Sequence, residues 1–243
     1  MKRSITRVFG TFILPGVFCI AMGVLEAVVV VYLRQVYYPS GFDFPLNFLT
    51  PEMLMIEWIR EIATIVMLVV LGIMAGKENL QRFLYFLFCF AIWDITYYAG
   101  LKIFLDWPTS LMTWDILFLI PVPWISPVLA PLICSVTMIF FAISIMYLKE
   151  TVTTFKIKLF EWGMILLGAT VIFCSFILDY FRLIVQNGFH SFWTLSGDKE
   201  FEQVMSKFIP VDFNWLLFGI GEVFILYGII SVIVRTKTKI SKR

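Results

Sequence analysis

The stretch EWIREIATIVML, Glu57 to Leu68, places Glu57, Arg60 and Glu61 within five residues at the head of an apolar run. At about 100° per residue these three and Thr64 share one stripe of a helix, and every other position of the stretch is apolar. The run continues to Ala75, which at about 1.5 Å per residue is enough to cross a hydrocarbon core roughly 30 Å thick. An ionisable side chain in hydrocarbon costs roughly 3 kcal/mol or more, so each one needs a partner or a use.

The rest of the chain agrees with a membrane reading. Of its 243 residues 60% are hydrophobic and only 15% charged, which excludes a water-soluble globule of this length. The four cysteines, Cys19, Cys89, Cys134 and Cys174, lie far apart inside apolar runs and suit neither a disulfide framework nor a zinc pair. With a single histidine, His190, bis-histidine haem ligation and an H-E-x-x-H zinc site are out of reach. No cysteine pattern for an iron–sulfur cluster, no nucleotide-binding motif and no nucleic-acid-binding signature is present.

Apolar stretches of roughly 20 residues or more fall at about 9–33, 52–75, 83–105, 125–148, 159–186 and 213–235. The first begins like a signal peptide, MKRSITRVFGTFILPGVFCIAMG, but runs to Leu33, so it reads as an uncleaved span that Pro15 should kink. Residues 1–243 are thus expected to form one domain, an all-α polytopic membrane protein with six transmembrane helices in one bundle. Orientation follows from Lys and Arg in the flanks. Lys2, Arg3, Arg7, Lys77, Arg82, Lys149, Lys156, Lys158, Arg235, Lys237, Lys239, Lys242 and Arg243 fall on one side, against Arg34, Lys102, Lys199 and Lys207 on the other. Both termini are therefore expected in the cytoplasm, and the location is a plasma or bacterial inner membrane with lipid as the first partner.

Two outer connections hold more than linker. Asp106 to Pro131 contains an apolar run too short to cross, bracketed by Pro108 and Pro121, which predicts a short re-entrant or interfacial helix over about 109–120. Trp107, Trp114 and Trp124 there match an aromatic belt. In Asn187 to Asp212, the helical spacing of Phe201, Val204, Met205 and Phe208 predicts an outer amphipathic helix over about 198–208. Glu26–Arg34 and Glu222–Arg235 are only loosely alike, so an inverted-repeat transporter finds no support.

The buried charges fall at one depth. Measured along each helix at about 1.5 Å per residue, Glu26, Glu57, Glu61, Asp94, Asp179 and Glu222 lie roughly 9–15 Å below the outer ends of their spans. Alternate spans run in opposite directions, so equal depth does not follow trivially from sequence position. With Arg60, Arg182, Tyr97 and Tyr98 on the same stripes, these acids predict a polar pocket in the outer half of the bilayer, with Asp115, Trp114 and His190 as candidate lid residues. Six acids against Arg60 and Arg182 leave an excess that calls for protonation or a bound cation. An ion-pair staple, the purely structural alternative, needs matched charge instead. Carboxylates suit Mg²⁺, Ca²⁺ or Mn²⁺, so a divalent cation is one candidate cofactor, with Glu57, Glu61 and Asp94 as its ligands.

Three functions fit this pattern. The first is binding of a cation, proton or small solute, for transport or solute recognition. The second is an intramembrane carboxylate-based enzyme acting on a lipid or isoprenoid-like substrate. The third is a structural membrane subunit of a larger complex. The excess of acids favours the first.

Overall fold

The computed structural model describes residues 2–39, 41–45, 50–152, 155–189, 203–204 and 207–241. Among them are six long helices: α1 (Lys2–Tyr37), α2 (Pro51–Ala75), α3 (Asn79–Leu105), α4 (Leu129–Thr151), α5 (Leu159–Gln186) and α6 (Trp215–Ser241). Each contains a segment long and apolar enough to cross a membrane, which marks an integral membrane protein. Both ends of the described chain, the Lys77–Arg82 connection and the facing ends of α4 and α5 lie at one end of the bundle, the basic end, where Lys149 meets Glu78. The opposite end carries the connection between α3 and α4.

Local chemistry sets the helix ends. Thr50 caps α2 by accepting the Met53 N–H at 3.4 Å, and Pro51 follows at the first helical position, where a missing N–H costs nothing. α3 stops at Asp106, whose backbone is left-handed with φ 51°. α1 is continuous through Pro15.

The connection between α3 and α4 is not helical. Trp114–Phe118 (β1) and Trp124–Pro127 (β2) pair as an antiparallel hairpin, with Asp115 opposite Ser126 and a bulge between Ile116 and Phe118. This corrects the expected re-entrant helix over about 109–120. Strand-favouring Trp, Ile and Phe flank Pro121 and Pro123, which sit in the turn, where neither interrupts a ladder hydrogen bond. The fourth span consequently starts later than about 125, at Leu129, with Pro131 in its first turn. Of the amphipathic helix expected over about 198–208, residues 203, 204, 207 and 208 are described and the rest lies outside the described residues.

α3 is central and packs against α1, α2 and α4. Towards the basic end the core is aromatic: Phe12 of α1 meets Tyr85 and Phe88 of α3 with ring centroids 4.9 and 4.5 Å apart. α5 and α6 form a close pair joined to the rest through α4 and β2. Gly168 and Gly221 permit that pairing, since a Cβ at Gly168 would sit 2.5 Å from the Gly221 carbonyl oxygen. Gly168→Val is therefore expected to cost about 1–3 kcal/mol in a denaturation titration. Gly219→Ala, whose added Cβ meets nothing within 4 Å, should be neutral or slightly stabilising. Equal stability of the two variants would show that α5 and α6 do not touch there.

Candidate functional site

α1, α2, α3 and the hairpin enclose a cavity of about 120 Å³ towards the hairpin end. α1 supplies Glu26, Val30, Leu33 and Arg34, which fall within one apolar-to-polar stripe about 100° wide. α2 supplies Glu57, Arg60, Glu61 and Thr64, the stripe read from the sequence, and α3 supplies Trp93, Asp94, Tyr97 and Tyr98. The hairpin contributes Asp115 and the run from Ile116 to Leu119.

The polar groups form three tiers. Nearest the hairpin end, the Arg34 guanidinium lies over the Trp107 ring at 3.7 Å and the Phe42 ring at 4.2 Å. Its Nη2 reaches Asp115 Oδ1 at 3.4 Å, and the Tyr98 hydroxyl donates to Asp115 Oδ2 at 3.1 Å. Burial pushes the Asp115 carboxyl up to about 6, against the downward pull of Arg34 and of the Tyr98 hydroxyl.

In the middle tier Arg60 bridges two helices. Its Nη1 pairs with Glu26 of α1, while Nε and Nη2 take Glu57 of its own helix at 2.8 and 2.7 Å. The Thr64 hydroxyl donates to the other Glu26 oxygen at 3.3 Å. This fork geometry is what a guanidinium offers and an ammonium does not.

In the third tier the hydrogen-bond donors are neutral, and Arg60 acts on Glu61 only through space. Both oxygens of Glu61 accept the Leu119 N–H, at 2.9 and 3.0 Å, satisfying a backbone group just past the end of β1. A buried backbone N–H outside regular structure requires such a partner. Asp94 accepts the Ser135 hydroxyl of α4 at 2.8 Å. Both carboxylates are nine-tenths buried.

The remaining sequence candidates lie elsewhere. Glu222 accepts the Thr137 hydroxyl at 2.9 Å. Ser135 and Thr137 project about 200° apart on α4, so that helix stands between Glu222 and Asp94. Asp179 and Arg182 pair with each other at 3.4 Å beside a separate hollow that also involves Asp212. The expected layer of five helices thus separates into a cavity built by three helices and a hairpin, with the α5 and α6 acids outside it. Trp114, a lid candidate, packs edge-on against Phe213 and does not border the cavity. His190 lies outside the described residues.

The candidate metal ligands Glu57, Glu61 and Asp94 are likewise dispersed, since each is turned to a different partner. Among the described residues no three Asp, Glu, Cys or His side chains converge as a metal site would require. Arg34 is the residue that sequence reasoning misplaces: it counts as an outer flank, although its eight-residue spacing from Glu26 leaves it on the same stripe. Ser135, a hydroxyl in an uncharged span, carries no signal of its own.

Comparisons with protein-family models, with curated proteins and with solved structures find no match to this chain. The class that the helices define is a multi-pass integral membrane protein.

Proposed function

We propose that the protein binds a positively charged species, a proton or the cationic group of a small solute, in the cavity between α1, α2, α3 and the hairpin. With the basic end cytoplasmic, the cavity lies in the outer half of the membrane, and the protein serves transport or solute recognition there. One observation carries this reading: five carboxylates border the cavity, Glu26, Glu57, Glu61, Asp94 and Asp115, against two guanidiniums, Arg34 and Arg60. Both guanidiniums are already paired, which leaves Glu61 and Asp94 with an N–H and a hydroxyl as their hydrogen-bond partners. Neutral donors solvate a buried carboxylate without cancelling its charge, so a proton or cation completes the site.

Native mass spectrometry and carboxyl infrared difference spectroscopy test this together. Wild type is expected to show either a small cationic adduct or a protonated-carboxyl band that responds to pH. Glu61→Gln with Asp94→Asn should remove it at nearly constant volume. Absence of both signals in the folded wild-type protein would overturn the reading.

A further inference from the structure

The route into the cavity identifies the kind of molecule that reaches it. α1 and α2 are consecutive in the chain, yet both pack on α3 and scarcely on each other. Beside the cavity the seam between them is held by polar links, Arg60 and the Thr64 hydroxyl to Glu26. Towards the basic end a groove of about 630 Å³, mostly apolar but edged by Lys77, Gln81 and Glu150, opens between α1 and α2 and is floored by α3 and α4.

Everything outside the seam at this depth is apolar: Leu25 is 62% exposed and Ile59 59%. The Arg60 side chain remains 23% exposed, the least buried of the paired charges around the cavity. Arg60 borders the cavity and also keeps part of its surface exposed, between two helices that scarcely touch, so the cavity wall is thinnest there. By contrast, Arg34, stacked on Phe42 and Trp107 and paired with Asp115, obstructs the hairpin end.

Two buried donors in the cavity wall, the Trp93 indole N–H and Arg34 Nη1, also have no acceptor among the described residues. Each would be satisfied by an oxygen acceptor that a ligand brings into the cavity, as Glu61 and Asp94 would be by a positive charge.

We infer that the ligand is a membrane-dissolved amphiphile, an aliphatic chain ending in a protonated amine beside an oxygen acceptor. It enters sideways between α1 and α2, with the Arg60–Glu26 pair as the latch. The amine lies in the cavity that Glu61 and Asp94 border, and the chain leaves through the seam into the surrounding lipid. This rests on the cation reading above and adds the chain, the oxygen and the path.

Binding to the full-length protein in nanodiscs, measured with four probes, tests it: sphinganine, lysophosphatidylethanolamine, ethanolamine and monoolein. At least one long-chain amine is expected to bind tenfold or more tighter than ethanolamine, with monoolein showing no saturable binding. Which of the two binds separates a free amino alcohol from a phospholipid head as the source. Glu61→Gln with Asp94→Asn should abolish the saturable component. If ethanolamine binds as tightly as the long-chain amines, the amphiphile inference fails while the cation reading stands. If no amine binds and no proton signal appears, both fail.

Wild-type protein irradiated with a sphinganine carrying a diazirine in its chain supplies a second measure that needs no variant. Labelling is expected on Leu25, Val29, Ile56 and Ile59, the exposed apolar residues flanking the seam. Labelling spread evenly over α4, α5 and α6 would overturn the path.

Discussion

Arg60→Met is expected to cost roughly 3–5 kcal/mol of stability, the largest loss of any single substitution in the cavity wall. The reason is what the substitution leaves behind. Glu26 and Glu57, 8% and 5% exposed, would keep their charge or their demand for a proton without the guanidinium that now serves both. Removing one partner of a buried ion pair costs much more than the pair contributes, because the orphaned charge has neither water nor counter-charge. The link between α1 and α2 also passes largely through this side chain, so the seam should loosen as well.

The triple variant Arg60→Met, Glu26→Gln, Glu57→Gln should recover most of the loss, since amides of nearly the same volume carry no charge to orphan. Arg60→Lys is expected to fall between, because a single ammonium cannot hold both carboxylates in a fork. Denaturation of the detergent-solubilised protein followed by circular dichroism reads all three. Arg60→Met as stable as wild type would mean that the two acids are already neutral in the fold, and the charge count behind the proposed function would lose its basis.

Six spans and the charged stripe of α2 are legible in the sequence because each depends on one helix alone. Length and hydropathy determine a span, and the 3.6-residue period determines a face. Which faces meet is a relation between helices, and hydropathy does not encode it. Glu222 and Asp94 reach similar depth, yet α4 lies between them, and nothing in the apolar run of α4 announces which neighbours it separates. The hairpin escapes the sequence for a different reason: a short, mostly apolar run between Pro108 and Pro121 satisfies a short helix and a strand equally well. What settles the matter is the pairing with Trp124–Pro127 beyond the turn, with Glu61 accepting the Leu119 N–H just past the end of β1. Arg34 is misplaced because a cation near a helix end ordinarily lies in the headgroup region. Here Phe42, Trp107 and Asp115 fold over it and leave it 6% exposed.

At the basic end Arg235 provides the contrast that separates architecture from function. Its Nε and Nη2 hold the two oxygens of Glu161 at 2.7 and 2.8 Å, Nη2 also donates to the Lys156 carbonyl, and the Lys158 N–H completes the carboxylate at 2.6 Å. Charge is matched here, one acid to one guanidinium, and Glu161 is 1% exposed. Arg235→Gln should therefore cost about 3–5 kcal/mol, by the same reasoning as for Arg60, and Glu161→Gln in that background should restore part of it. The effect on binding should differ, because the pair joins α5 to α6 and borders no part of the cavity. Folded Arg235→Gln protein is expected to bind a long-chain amine within about twofold of wild type, a difference below about 1 kcal/mol. Asp94→Asn should do the reverse, weakening binding tenfold or more with little loss of stability, since the carbonyl of the substituted amide still accepts the Ser135 hydroxyl that Asp94 accepts now. If Arg235→Gln weakened binding as much as Asp94→Asn does, the acid excess around the cavity would not be what holds the ligand, and both buried ion networks would have to be read as staples.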